Sequence, residues 1–280
     1  MKRTRIIGLC TIAMFALSMM VVSSAVAGGE NPTGPEYGIC IKGGVTKDFT
    51  DANCSIDPVI RKGKEKGKYS FVPTTTVPGA GVKYTSANGV SILNTLGGRE
   101  VECSGATDTG EITGPKTDVD TVTFTNCLSE GFSCNSAGDP SGTIKTKELE
   151  TTIGWVNKAK GEVGTDFAGK GGGPSAIFGC VFGLVEYEVD GSVIGVTTGN
   201  INVMSATSTT TFTETAGKQT VEYFEGGPKD TLESTIESKT PPGGRFPNVP
   251  STLSTVGVAT NIPGRGGRPR KTEINTIEQS

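Results

Sequence analysis

The chain has 280 residues, 26 basic and 29 acidic side chains for a formal charge of −3, and no histidine. The lack of histidine excludes Ser-His and Cys-His nucleophile pairs, imidazole general bases and zinc sites that use histidine. The mild acidity gives no reason to expect a nucleic-acid partner. With 41 glycines, 15 prolines and abundant threonine, the composition disfavours long helices and favours short strands joined by frequent turns.

The first 27 residues have the layout of a secretory signal peptide. A basic stretch at residues 2–5 precedes an apolar run at residues 6–22, and Ala25-Val26-Ala27 provides a small-residue cleavage site. We therefore expect an exported mature chain that begins at Gly28. An uncleaved anchor is the alternative, because the apolar run has about the minimum spanning length of ~17 residues. Lipid attachment at Cys10 is not expected, since a lipoprotein cysteine follows the apolar run rather than lying near its start.

Export decides how the cysteines are interpreted. Loss of Cys10 with the signal leaves six of the seven cysteines, which in an oxidising compartment favours three disulfides over metal ligands or a redox centre. The candidates are Cys40, Cys54, Cys103, Cys127, Cys134 and Cys180.

One disulfide pairing follows from sequence proximity. We expect Cys40 to pair with Cys54, since they flank a turn-rich segment and closing a loop of ~15 residues stabilises by about 3 kcal/mol. Three pairings are open to the other four cysteines. We favour Cys127 with Cys134 across a glycine-containing turn, and Cys103 with Cys180 between strands.

Two hairpins are predicted around glycine turns. Residues 90–95 and 100–103 flank Gly97-Gly98. Residues 185–189 and 192–196 flank Asp190-Gly191, a dipeptide typical of two-residue hairpin turns. In the second hairpin the apolar residues Val185, Tyr187 and Val189 alternate with acidic ones, which predicts one buried and one exposed face.

Further alternation predicts strands at residues 119–126, 205–214 and 220–224, with threonine on the exposed side. Residues 145–160 are the one segment that could hold a helical turn, and their β-branched residues argue against it. Residues 62–68 are predicted to form an exposed loop.

The C-terminal part differs in composition. Residues 240–250 are rich in proline and glycine and are predicted to form a linker. Residues 252–262 and 272–277 are predicted to be two final strands around a basic loop at residues 263–271. We therefore divide the chain into a signal peptide (1–27), a β-rich domain (28–239) and a segment (240–280) that holds the linker, the basic loop and the terminal strands of the same domain. The expected fold is all-β, an antiparallel β-sandwich or irregular barrel of many short strands stapled by disulfides.

Several short motifs occur in order between residues 35 and 233. They are PEYGIC (35–40), TGEITGPK (109–116), GTIKT (142–146) followed by Leu149 and Gly154-Trp155, GSVIG (191–195) and FEGGPKD (224–230). Together they resemble a group of exported bacterial hypothetical proteins that are β-rich and contain cysteines. The resemblance implies no activity, ligand or catalytic residue, and the segment after Pro242 fits it least well.

Carboxylates are the remaining catalytic groups. Asp108-Thr109-Gly110 matches the aspartic-protease triplet, but it occurs once, and a polar turn is the simpler interpretation. The outward row Glu186, Glu188 and Asp190 could offer the two carboxyls, about 5 to 9.5 Å apart, that glycoside hydrolysis needs, although a solvated strand face is commoner.

A metal site has weak support. Asp118 and Asp120 could help to hold Ca²⁺, but they are not part of an Asp-x-Asp-x-Asp-Gly loop. We assign no catalytic residue, no cofactor and no metal ligand.

The basic loop is the one candidate contact site. Arg265, Arg268, Arg270 and Lys271 place four positive charges within seven residues, and they could contact a polyanion such as a cell-wall polymer, although a solvated loop is the simpler interpretation.

The function favoured by the sequence is that of a secreted or cell-envelope protein, non-enzymatic, structural or ligand-binding. Its partner would be a cell-wall polymer or another envelope protein, with no intracellular nucleic acid and no membrane span after signal cleavage. The alternative is a carboxylate-dependent hydrolase of cell-wall or extracellular glycans. An enzyme should show a cleft with two facing carboxyls, one of them with a raised pKa.

Overall fold

The computed structural model describes residues 35–44, 47, 49–52, 67–73, 82–95, 98–198, 207–227, 229–239 and 243–261. Over these residues the chain is all-β, as predicted, and helical geometry is limited to two 3₁₀ turns, Lys158–Lys160 and Lys170–Gly172. The predicted signal peptide and the predicted basic loop, with Arg265, Arg268, Arg270 and Lys271, lie outside the described residues. So do most of the predicted loop at 62–68 and the predicted strand at 272–277.

The described residues form twenty strands that alternate with short turns. In chain order they are β1 (Gly38–Lys42), β2 (Tyr69–Pro73), β3 (Val82–Asn88), β4 (Ser91–Thr95), β5 (Glu100–Cys103), β6 (Gly105–Ile112), β7 (Thr117–Thr125), β8 (Leu128–Ser129), β9 (Phe132–Asn135), β10 (Ile144–Lys145), β11 (Leu149–Asn157), β12 (Glu162–Gly169), β13 (Ala176–Cys180), β14 (Val185–Asp190), β15 (Ser192–Thr198), β16 (Thr207–Phe212), β17 (Glu214–Thr215), β18 (Lys218–Gln219), β19 (Glu233–Ser238) and β20 (Gly244–Asn261).

Eight of these strands close into a barrel, the second of the two predicted architectures. The ring order is β16-β15-β12-β11-β7-β6-β3-β20, all neighbours are antiparallel, and β20 closes the ring by pairing with β16 from Thr207↔Thr260 to Phe212↔Thr255. Closure satisfies the backbone hydrogen bonds that an open sheet would leave at its edges.

A curled sheet begins on the same long strand. Its order is β19-β14-β13-β9-β8-β5-β4, and both of its outer strands pair with the first part of β20. Its core is apolar: Phe178 and Tyr187 are buried and stack with ring centroids 5.0 Å apart. One 18-residue strand therefore belongs to both sheets.

The predicted linker at residues 240–250 is wrong from Gly244 onward, because that part of β20 pairs with β19. The prolines of this segment favoured the linker prediction, because proline has no backbone N–H to donate to a β-ladder. Pro247 falls where the register shifts between Ile236↔Phe246 and Ser234↔Val249, an irregularity that tolerates the missing donor.

The first predicted hairpin is confirmed, and the second is wrong. β4 and β5 pair from Ser91↔Cys103 to Asn94↔Glu100. β14, with its alternating burial as predicted, lies between β13 and β19 in the curled sheet, whereas β15 lies between β12 and β16 in the barrel. Gly191, at φ +79°, turns the chain from one sheet into the other, and the carbonyl of Thr231 occupies the space of a side chain there.

Other predicted elements are partly confirmed. β7, β16 and the end of β20 match the strands predicted at 119–126, 205–214 and 252–262, while residues 145–160 form mostly strand and end in a 3₁₀ turn. The strand predicted at 220–224 is wrong: it makes one isolated bridge, Tyr223↔Lys229, because Val221 and Phe224 pack instead on Ile194 outside the barrel.

The disulfides join Cys103 to Cys127 and Cys134 to Cys180, so both favoured pairings of these four cysteines are wrong. Cys127 and Cys134 do face each other, but Cys134 N donates a 2.9 Å hydrogen bond to Cys127 O. Side chains of a hydrogen-bonded antiparallel pair lie farther apart than those of a non-hydrogen-bonded pair. Cys40 is disulfide-bonded, and its predicted partner Cys54 lies outside the described residues.

The register explains the observed pairing. Cys134 and Cys180 are direct partners in the β9–β13 ladder. Cys103 and Cys127 lie two positions beyond Gly105↔Thr125 in the β6–β7 ladder. The Cα atoms are 4.1 Å apart in the Cys134–Cys180 pair and 4.0 Å apart in the Cys103–Cys127 pair.

The two bridges should contribute unequally to stability. They span 46 and 24 residues, so loop-closure entropy predicts a loss of about 4 kcal/mol for Cys134→Ala/Cys180→Ala and about 3.5 kcal/mol for Cys103→Ala/Cys127→Ala. Urea unfolding of the mature protein measures both losses. Peptide mapping without reduction checks the connectivity, and a Cys127–Cys134 peptide would contradict it.

Candidate functional site

Three aspartates point into the barrel from two neighbouring strands. Asp108 lies on β6, and Asp118 and Asp120 lie on β7, in a register that pairs Gly110 with Asp120 and Ile112 with Asp118. Their exposure is 8%, 3% and 3%, respectively. Because side chains alternate along a strand, the threonines of β7 take the outer face, as predicted, and the aspartates are forced inside. The polar turn expected at Asp108 is wrong.

Two tyrosines hold Asp118. Tyr84 donates a 3.0 Å hydrogen bond to its Oδ1, and Tyr37 donates a 3.1 Å hydrogen bond to its Oδ2. Tyr84 reaches this position by lying over Gly110, its partner on β6, where a Cβ would overlap the ring. Tyr37 comes from the segment before β1 and packs with Ile112, Ile153 and Val163.

The other two carboxyls are incompletely satisfied. Oδ1 of Asp108 and Oδ1 of Asp120 are buried without a hydrogen-bond partner in the described protein. The ion pairs of the described residues all lie elsewhere, on exposed side chains. A buried carboxylate without a cation is costly, so neutralisation by a proton is the expected response.

The pKa shifts agree with that response. Burial, reinforced by the charges of Asp108 and Asp118, raises the pKa of Asp120 to about 8. Burial also raises the pKa values of Asp108 and Asp118. Burial and the charge of Asp118 hold the pKa values of Tyr37 and Tyr84 well above 10. Near neutral pH at least one of these buried carboxyls is therefore protonated.

A second pair of carboxyls lies on the outside of the barrel. Burial raises the pKa of Asp166, on β12, to about 6, and the charge of Asp230 adds to this shift. Asp230 Oδ1 accepts a 3.0 Å hydrogen bond from Leu232 N. Its Oδ2 accepts a 3.4 Å hydrogen bond from Ile194 N, opposite Asp166 in the β12–β15 ladder. Asp230 thus fastens residues 220–232 to β15.

Asp230 of this outer pair lies near an open groove lined by Val156, Asn157, residues 220–223 and Glu225. The backbone links the two, because Asp230 N donates to Glu222 O, and Glu222 lines the groove. Sequence analysis missed this arrangement. Its one signal was the FEGGPKD motif, which ends at Asp230.

The acidic row predicted on β14 is present. Glu186, Glu188 and Asp190 lie at intermediate exposure along one face. Glu186 forms an ion pair with Lys239 at 3.0 Å, and Asp190 is opposite Glu233 on β19. Among the described residues, no group of three or more Cys, Asp or Glu side chains is arranged to hold a metal ion.

Comparison of the chain with family models, with curated proteins and with solved structures gave no match. Within the described ranges, no helix has the length and hydropathy needed to cross a membrane. The geometry of the described residues is therefore the basis for assigning a function.

Stability should fall as pH rises from about 4 to about 8. The pKa of Asp120 is raised in the folded state, so over this window the folded chain binds more protons than the unfolded chain, whose aspartate pKa is ~3.9. The free-energy cost of burying the charged carboxylate is absent below this window and complete above it. The free energy of unfolding should therefore fall by on the order of 5 kcal/mol across the window.

Asp120→Asn, which is neutral at every pH, isolates this effect. Urea unfolding should show the variant gaining stability relative to the wild type as pH rises from 5 to 9. Glu150→Gln, on the exposed face of β11, is the matched control and should follow the wild type. Parallel curves for Asp120→Asn and the wild type would show that Asp120 titrates normally.

Proposed function

We propose that this protein is exported and acts outside the cytoplasm as a non-enzymatic envelope or extracellular protein, structural or ligand-binding. The observation that carries the proposal is the pair of buried cross-strand disulfides, because such bonds form and persist in oxidising compartments. The signal-like residues 1–27 and the resemblance to exported bacterial proteins support the same compartment.

The position of the buried carboxyls supports a non-enzymatic role. Asp108, Asp118 and Asp120 have the carboxyl–carboxyl proximity and raised pKa values of a catalytic site, but they lie inside a barrel filled by side chains. A general acid must come within hydrogen-bond reach of its substrate. These carboxyls could do so only if the barrel opened, so their simpler role is internal.

The proposed partner is a cell-wall polymer or another envelope protein. Arg265, Arg268, Arg270 and Lys271 remain the proposed polyanion contact. A contact of this kind weakens as salt screens the exposed charges.

A hydrolase of wall or extracellular glycans is the second candidate. It is favoured by Asp166, whose pKa of about 6 suits a general acid, and by the neighbouring Asp230 beside the groove. The exposed ring of Tyr223 in that groove could stack on a sugar. Against it, Asp230 is already engaged by two backbone amides.

Export is tested with the full-length chain in a bacterial host. We expect the extracytoplasmic fraction to contain a chain that begins at Gly28 and has no free thiol. Ala25→Leu/Ala27→Leu should block cleavage and retain the precursor. Full-length chain in the cytoplasm with reduced cysteines would overturn the proposal.

The two candidate functions are separated by incubating the purified mature protein with isolated cell-wall glycan and measuring released reducing ends. We expect no release above the blank at any pH from 4 to 8. Release that falls above pH 6 and is lost in Asp166→Asn, but kept in Glu150→Gln, would establish the hydrolase instead.

A further inference from the structure

Two neighbouring turns of the curled sheet expose a cluster of large apolar side chains. The β8–β9 turn and the β13–β14 turn lie side by side, because β9 pairs with β13. We call the three exposed side chains of these turns the apolar tip: Phe132, Phe182 and Leu184. Phe182 is 92% exposed, and its ring contacts that of Phe132 edge to face at a centroid distance of 6.1 Å.

The backbone is strained to place Phe182 at the apex. Val181 and Phe182 adopt φ of +53° and +58°, a region in which branched and bulky residues are rare. Glycine or asparagine would adopt the same turn at lower cost. Strain of this kind persists only where the surroundings enforce it, and it is concentrated at functional positions. Here the Cys134–Cys180 disulfide ties both strands together two residues behind the rings.

Among the described residues, the charges near the apolar tip leave no positive excess. Arg99 pairs with Glu130 at 3.6 Å, and Lys239 pairs with Glu186 at 3.0 Å. An anionic partner is therefore disfavoured, and an uncharged or zwitterionic one fits.

The size and shape of the apolar tip favour a fluid partner over a folded one. Its exposed apolar area is on the order of 300 Å², whereas a stable protein interface needs about 800 Å² from each side. A second copy of the chain that met only this tip would not stay bound. A lipid surface needs no matching partner surface, only apolar side chains that project far enough to enter it.

We propose that the apolar tip docks peripherally on a zwitterionic lipid surface, with Phe182 and Phe132 entering the interface between headgroups and acyl chains. This surface role goes beyond the proposed function and does not depend on export or on what the rest of the molecule binds.

Flotation of the mature, oxidised protein with phosphatidylcholine vesicles tests the proposal. We expect the wild type to float with the vesicles in low and in high salt alike, because the tip's attraction is apolar. Phe132→Ser/Phe182→Ser should reduce the bound fraction at least tenfold. Tyr223→Ser, which removes an exposed aromatic ring on the barrel, is the matched control and should bind like the wild type.

A second variant separates loss of binding from loss of folding. Phe182→Gly removes the ring and also relieves the strained φ, so it should raise the melting temperature while weakening flotation. The proposal is overturned if the wild type does not float, or if the double variant floats equally. It is also overturned if binding requires phosphatidylglycerol and disappears in high salt, which would point to the basic segment at residues 263–271. A dimer that the double variant dissociates would assign the tip to self-association.

Discussion

The strand β20 is the constraint on which the architecture depends. Its first part pairs with β19 and β4, and its last part pairs with β16 and β3. Each sheet would otherwise end in unpaired backbone donors and acceptors, which are costly when buried and invite aggregation when exposed. The closing strand comes from the C-terminal part of the chain, so the barrel cannot close until almost all of the described chain has been made. Such long-range pairing is typical of slow-folding β proteins.

Barrel closure also decides the chemistry of the interior. The strand alternation that puts the threonines of β7 on the outer face puts Asp118 and Asp120 inside, beside Asp108. Asp118 is satisfied by Tyr37 and Tyr84. The other two carboxyls retain oxygens without partners, and burial raises their pKa values. The buried polar cluster therefore lowers the stability of the folded chain at high pH.

The disulfides brace the strands that lead to the apolar tip. Cys103–Cys127 fastens the start of the barrel ladder, and Cys134–Cys180 fastens the two strands whose turns carry Phe132 and Phe182. The rigid sheet behind the tip is what allows Val181 and Phe182 to remain at positive φ. The Cys134–Cys180 bridge therefore supports the geometry of the tip.

Local patterns determined much of this protein. Composition predicted the all-β class, alternation predicted the buried face of β14, and Gly97-Gly98 predicted the β4–β5 hairpin. Tertiary structure decided the rest. Asp190-Gly191 is typical of a hairpin turn, but β14 and β15 pair with strands of different sheets. The register of strands that are distant in sequence determined which cysteines pair. For the aspartates of β6 and β7, a sequence shows which side chains share a strand face, while only the closure of eight strands determines which face becomes the interior.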